Sequence, residues 1–80
     1  MNIATILKDW PIETSLYCPL YGIVYLDKVD FEDPYPIKII CKDGSEDSFT
    51  AEGKYYRNYL GDECVLFPSK DERDWNKIKL

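Results

Sequence analysis

Arginine next to aromatic residues is the combination in this 80-residue chain that could do chemistry. Arg57 lies inside the tyrosine-rich stretch 55–59, and Arg73 lies two residues before Trp75. A guanidinium can hold a phosphate through paired hydrogen bonds while an aromatic ring beside it stacks on a base. The two arginine segments therefore indicate a site for a small anionic ligand.

The alternative for each arginine is an ordinary surface ion pair with Asp62, Asp71 or Asp74, and such exposed pairs contribute little to stability. For either arginine alone we favour the ion pair, and for the combination both interpretations stay open. The candidate ligand-binding residues are Tyr55, Tyr56, Arg57, Lys70, Arg73 and Trp75.

Catalytic groups are scarce in this sequence. It has no histidine, which removes the commonest general base and the usual partner of a nucleophilic serine or cysteine. Cys18, Cys41 and Cys64 form no CxxC motif and are too few for a structural zinc site. We expect a non-enzymatic protein with no catalytic residue, metal or cofactor. A metal-dependent hydrolase, with acids converging from several strands, is kept as a third alternative.

Charge and hydropathy exclude several classes of protein. The net charge of −5 argues against generic nucleic-acid binding, which requires a basic surface. No apolar run is long enough to span a membrane, and the first residues lack the pattern of a signal peptide. We therefore expect a cytoplasmic protein without membrane contact.

Short β-type segments dominate the middle of the chain. A short helix is predicted over residues 2–9, with Trp10 as its anchor, and the strands fall within residues 15–67. The strand at Ile37–Lys42 has an apolar face formed by its odd positions, and Asp43-Gly44 predicts a two-residue hairpin turn after it. Residues 64–67 form the last predicted strand, and 1–80 is expected to be a single small domain.

Close spacing of these strands favours a mainly β fold, a small antiparallel barrel of the SH3-like or OB-like type. Closure would remove the exposed sheet edges that so short a chain can hardly cover. Ser69 and Glu72 fit a capping box, which predicts a helical cap over about 69–75. Trp75 is expected to pack on the mouth of the barrel, so that this C-terminal stretch acts as a lid.

Three segments resemble a group of small proteins of gut anaerobes and their bacteriophages. They are LYCPLYG (16–22), FTAEGKY (49–55) and ECVLFPSKDERDW (63–75). The group's pattern is roughly LYSPLxGxV, FTxDGxY and ECxLFPSKxxRDW, and the match extends over residues 7 to 75. The chain departs from it at Cys18, where serine is usual, at Glu13, where glycine is usual, and at Ala51-Glu52.

This resemblance implies a setting rather than an activity: small phage accessory proteins, including inhibitors of host defence. Some phage proteins of this size are oligomers that sequester a nucleotide signal. The first hypothesis is therefore a non-enzymatic protein that binds a small anionic, nucleotide-type ligand at the interface of a homo-oligomer. The alternative is a protein–protein interaction module, because the seven tyrosines suit an interface and the acidic loops could occupy a basic partner.

Overall fold

Four antiparallel strands form one sheet in the computed structural model, which describes residues 2–55 and 65–78. The strands are β1 (Ser15–Cys18), β2 (Gly22–Val29), β3 (Ile37–Cys41) and β4 (Glu46–Phe49). Each strand pairs with the next along the chain, in the order β1-β2-β3-β4. The prediction of a mainly β, antiparallel fold is confirmed.

Alternating burial gives the sheet one core face and one outer face. In β2, Val24 and Leu26 are fully covered, whereas their neighbours point the other way. In β3, Ile37 and Ile39 are fully buried and Lys38 lies on the outer face, as its odd–even pattern predicted. The outer face is defined here as the side of the sheet that carries Lys38.

A short helix, α1 (Ile3–Leu7), covers part of the core face. Asn2 caps it by accepting a hydrogen bond from the Thr5 amide at 3.0 Å. Five residues cannot hold a helix alone, so docking must stabilise it. The Ile3 and Ala4 amides both donate to the carbonyl of Ala51, at 2.7 and 3.0 Å. No helix in the described ranges is long and apolar enough to cross a membrane.

The β3–β4 hairpin uses a three-residue loop instead of the two-residue turn that Asp43-Gly44 predicted. The Gly44 amide donates to the Cys41 carbonyl at 2.9 Å, and the Cys41 amide donates to Ser45. Gly44 has φ +87°, while Asp43 stays outside the left-handed region. This is a turn followed by one left-handed residue, which needs glycine at a single position. Asp43 instead accepts hydrogen bonds from the Ser45 amide and hydroxyl.

The C-terminal helical turn lies at Trp75–Lys77, a 3₁₀ helix, and differs from the predicted span 69–75. Ser69 Oγ does accept from the Glu72 amide at 2.9 Å, as a capping box requires. However, the Ser69 amide donates to the Glu72 main-chain carbonyl, which closes a loop. Asp74 provides the cap of the actual helix by accepting from the Asn76 amide.

The predicted last strand is reduced to isolated pairs. Phe49 pairs with Tyr55, Lys54 with Val65, and Phe67 with Tyr17, and these pairs stand outside the four strands. Cys64, the first residue of that predicted strand, lies outside the described residues. The core lies between the sheet, α1 and the C-terminal segment. Its buried members are Ile3, Ala4, Leu7, Leu16, Cys18, Val24, Leu26, Ile37, Ile39, Phe49, Leu66 and Trp75.

Candidate functional site

The Arg73 guanidinium lies over two aromatic rings. Its central carbon is 5.2 Å from the ring centroid of Tyr17 and 5.2 Å from that of Phe67. Its Nε donates to the Lys70 carbonyl at 3.2 Å. The two ring contacts and this hydrogen bond hold the side chain in one orientation, although Arg73 is exposed to solvent. A cation over an aromatic face is attracted by the ring quadrupole. We call these three side chains, Tyr17, Phe67 and Arg73, the arginine platform.

Pairing of the main chain brings the two rings of the platform together. The Phe67 amide donates to the Tyr17 carbonyl at 2.7 Å, and the Tyr17 amide donates to the Phe67 carbonyl at 3.0 Å. Leu16 and Cys18 on either side of Tyr17 are buried. Strand alternation therefore directs the Tyr17 side chain outward, onto the face where Arg73 lies.

Two acidic side chains near Arg73 accept hydrogen bonds from backbone amides of the segment that carries it. Glu72 Oε1 accepts from the Asp74 amide at 3.0 Å, and Asp74 Oδ1 accepts from the Asn76 amide at 2.9 Å. Across residues 2–55 and 65–78, the only ion pair within 4.0 Å joins Lys38 Nζ to Asp33. In that part of the chain, the terminal amino groups of Arg73 have no carboxylate partner. They can therefore receive an anion.

Trp75 belongs to the core, next to the platform loop. Only 8% of its surface is exposed, and its indole Nε1 donates to the Leu66 carbonyl at 2.9 Å. Its ring centroid is 6.0 Å from that of Trp10. This position agrees with a lid that closes the core, and it leaves the Trp75 ring no open face for stacking on a ligand.

Tyr55 is half-buried and packs among aromatic residues. Its ring is edge-on to Phe49 at 5.7 Å and to Tyr21 at 6.1 Å. The Tyr21 hydroxyl donates to Asp47 Oδ2 at 2.8 Å. Burial first, and then hydrogen bonds with Tyr55 and Asp47, raise the pKa of Tyr21 above its ordinary value. This tyrosine–aspartate cluster therefore stays protonated at the tyrosine and links separate parts of the sheet.

The four candidate residues that the structure describes thus have different locations. Arg73 and Lys70 share one exposed loop, whereas Trp75 and Tyr55 pack inside the fold. Tyr56 and Arg57 lie outside the described residues. Sequence reasoning missed Tyr17 and Phe67 as partners of Arg73. The available signal was that both lie in short β-type runs, but nothing local indicated that those runs pair.

Nucleophilic and metal chemistry find little support in the described residues. Cys18 is fully buried, and burial raises the pKa of the partly buried Cys41 thiol, which favours the unreactive protonated form. Within residues 2–55 and 65–78, no three or more aspartate, glutamate or cysteine side chains are grouped so that they could hold a metal ion.

No protein-family model, curated protein or solved structure matches this chain. Membership of the phage and gut-anaerobe group stays a prediction from the three sequence segments.

Proposed function

We propose that this chain is a small non-enzymatic binding protein that takes an anionic, nucleotide-type ligand on the arginine platform. The observation that carries the proposal is the guanidinium of Arg73, held over Tyr17 and Phe67 and bonded at Nε to the Lys70 carbonyl. An arginine already fixed in place loses little conformational entropy when it binds.

Two parts of the guanidinium can contact such a ligand. The terminal amino groups suit a phosphate, because their planar geometry matches two phosphate oxygens. A face of the guanidinium that Tyr17 and Phe67 leave uncovered can stack on a base. Lys70 lies in the same exposed loop and adds a second positive charge.

The strength expected from one platform is modest. A hydrogen bond to a charged group contributes roughly 1.5–3 kcal/mol, and stacking on a base roughly 1–3 kcal/mol, before the cost of association. A net binding free energy of about 4 kcal/mol corresponds to a Kd of about 1 mM. A homo-oligomer that brings two platforms onto one ligand would bind more tightly, so oligomerisation is part of the proposal.

The proposed biological setting is that of a phage accessory or counter-defence protein in the cytoplasm, which sequesters a nucleotide without changing it. Support for the setting comes from the resemblance of residues 16–22, 49–55 and 63–75 to the phage group. Support for binding without turnover comes from the absence of histidine in the sequence and the protonated Cys41 thiol.

We also infer that the whole chain forms a small barrel of the SH3-like or OB-like type. The support is the series of pairs from Phe49 to Tyr55, from Lys54 to Val65 and from Phe67 to Tyr17, which leads from β4 back to β1. A solved structure of the whole chain tests this. We expect a continuous hydrogen-bonded ladder between β4 and β1, and an open sheet would contradict it.

The binding proposal is tested by titrating the protein with ATP, using calorimetry and NMR shifts, and by native mass spectrometry of the same samples. We expect Arg73→Ala to weaken ATP binding about tenfold or more, because it removes both the phosphate contact and the stacking face. Arg73→Lys keeps the charge but loses the planar group, and should weaken binding almost as much.

Lys42→Ala is the matched control, since it removes one positive charge from the β3–β4 hairpin and should leave binding nearly unchanged. ATP recovered intact after incubation is expected. Conversion of ATP to a product would contradict a non-enzymatic role. Equal losses in Arg73→Ala and Lys42→Ala, or no ATP binding at all, would overturn the assignment of the site.

A further inference from the structure

A groove of about 400 Å³ lies on the outer face of the sheet, and the platform uses none of its residues. The segment before β1 forms one wall through Ile12 and Glu13, and the strands supply Tyr25, Asp27 and Ile40. Tyr25 and Ile40 lie directly opposite each other in the β2–β3 register. The groove therefore has an apolar floor and two carboxylates, one from Glu13 in the segment before β1 and one from Asp27 in β2.

Ile12 is the most exposed large apolar side chain among the described residues, with 71% of its surface accessible. Ile23, two positions before Tyr25 on the same face of β2, is 41% exposed. Apolar side chains gathered on one face of a small protein mark a surface that binds another molecule. Ile12 and Tyr25 would lose most of their contact with water if a chain lay in the groove.

The backbone at Glu13 is held in an unfavourable conformation at this site. Its φ is +69°, in the left-handed region, which is sterically unfavourable for a residue other than glycine. Two hydrogen bonds to β2 keep it there: the Glu13 amide donates to the Leu26 carbonyl at 2.7 Å, and the Leu26 amide donates to Thr14 at 2.9 Å. Such conformations cluster at functional sites, and this one places a glutamate on the groove.

The charges of the groove are negative and lack a basic partner in the described chain. No lysine or arginine nitrogen in residues 2–55 or 65–78 lies within 4.0 Å of Glu13 or Asp27, because the single ion pair there is Lys38–Asp33. Lys38, whose side chain reaches the adjoining cleft, is also bonded to Ser48 Oγ at 3.2 Å. Asp27 also lines that cleft. Its other charged side chains are two acids, Glu46 and Asp47, and two bases, Lys28 and Lys38, so acids outnumber bases there as well.

We propose that this groove docks a segment of a partner protein that carries a lysine or arginine next to a large apolar side chain. The charge complementarity decides the occupant. Two carboxylates without a base favour a cation and repel phosphates, and the apolar floor requires an aliphatic or aromatic neighbour. A long basic side chain satisfies both, since its methylene stem lies on Tyr25 and Ile40 while its charged end reaches Glu13 and Asp27.

The interaction is tested with three blocked peptides by NMR titration of the intact chain. The probe is acetyl-Leu-Arg-Leu-amide. One control replaces the arginine with citrulline, a neutral analogue of similar shape, and the other replaces both leucines with serine. We expect the probe to shift the signals of Ile12, Tyr25 and Ile40, and both controls to bind more weakly.

Protein variants separate charge from backbone strain. The double variant E13Q/D27N should weaken probe binding roughly two- to thirtyfold, since it removes two exposed charge pairs. Glu13→Gly also removes the charge but relieves the left-handed strain, so it should weaken binding while raising the Tm. Glu52→Gln makes the same charge change at an exposed turn outside the groove and should leave binding unchanged.

Several results would overturn the proposal. A citrulline peptide that binds as well as the probe would do so, as would an E13Q/D27N variant that loses no more affinity than Glu52→Gln. Peptide-induced shifts confined to the arginine platform would place the interaction elsewhere. Groove signals that move on dilution of the protein alone would show that a second copy covers the groove. The ATP titration tests the arginine platform with Arg73 variants, and the peptide titration tests the groove with Glu13 and Asp27 variants. A negative result in one experiment therefore leaves the other proposal standing.

Discussion

Arg73 and Trp75 lie two residues apart, yet one is exposed and the other forms part of the core. The sequence places Arg73 beside Trp75, whereas the folded chain places its guanidinium over Tyr17 and Phe67. Spacing along a chain reports only local neighbours. The Tyr17–Phe67 pair is set by strand pairing across about fifty residues of sequence, which no local pattern encodes.

The buried indole of Trp75 should matter more for stability than that of Trp10. Trp75→Phe leaves the Leu66 carbonyl without its donor, which we expect to cost roughly 1–3 kcal/mol in the free energy of unfolding. Trp10→Phe is the matched control, because the Trp10 ring is half-buried and its indole nitrogen donates to none of the described residues. Urea denaturation of both variants measures the difference, and equal losses would argue against the hydrogen bond as the cause.

At the scale of elements, strands were more predictable than caps. The odd–even pattern of Ile37–Cys41 allows only one way to bury its apolar side chains, so the face followed directly from the sequence. The capping signal at Ser69 was less decisive. Its hydroxyl bonds the Glu72 amide equally well in a closed loop, and the helix begins only where Asp74 caps Trp75.

Two glycines should differ in how much they tolerate a side chain. Gly44 has φ +87° and open space around it, so Gly44→Ala should cost only the left-handed penalty of roughly 1–2 kcal/mol. Gly53 has φ +84°, and an added Cβ would lie 2.8 Å from Ile3 Cδ1 in α1. Gly53→Ala should therefore carry the same left-handed penalty and a further, smaller loss of stability, because the end of the Ile3 side chain has to shift.

Thermal or urea unfolding of the two glycine variants compares them directly. Circular dichroism should also report less order in α1 for Gly53→Ala, since that helix rests against residues 51–53. A Gly44→Ala variant that proved the less stable of the two would contradict the role assigned to the contact with Ile3.

For the molecule as a whole, the Tyr21–Asp47 hydrogen bond connects the β1–β2 turn to β4, which lie at opposite sides of the strand order. A chain this small has a thin stability margin, so a single long-range link of this kind contributes noticeably. No local pattern predicts this bond, because residues 21 and 47 share no motif.

This link predicts a loss of stability in alkali. The folded state raises the pKa of Tyr21 above its usual 10.0, so the folded protein keeps a proton that the unfolded chain releases. The contribution is fully present below about pH 10 and declines as the pH rises beyond it. Tyr21→Phe should show a weaker decline above pH 10 in urea denaturation.

Tyr25→Phe is the matched control for that experiment, since the Tyr25 hydroxyl makes no hydrogen bond to the described residues. We expect its alkaline profile to follow that of the unchanged protein. Identical profiles for Tyr21→Phe and Tyr25→Phe would remove the buried hydroxyl as the origin of the pH dependence.

The packing of Trp10 against Trp75 has a consequence for how the chain is made on the ribosome. Synthesis proceeds from the N-terminus, so α1 leaves the ribosome before Ala51 and Trp75. The Ala51 carbonyl accepts hydrogen bonds from the first amides of α1, and Trp75 packs beyond the end of this helix. Until those residues leave the exit tunnel, the apolar side of α1 has nothing native to contact. The nascent chain therefore remains partly folded with exposed apolar side chains, and a chaperone could bind it in this state.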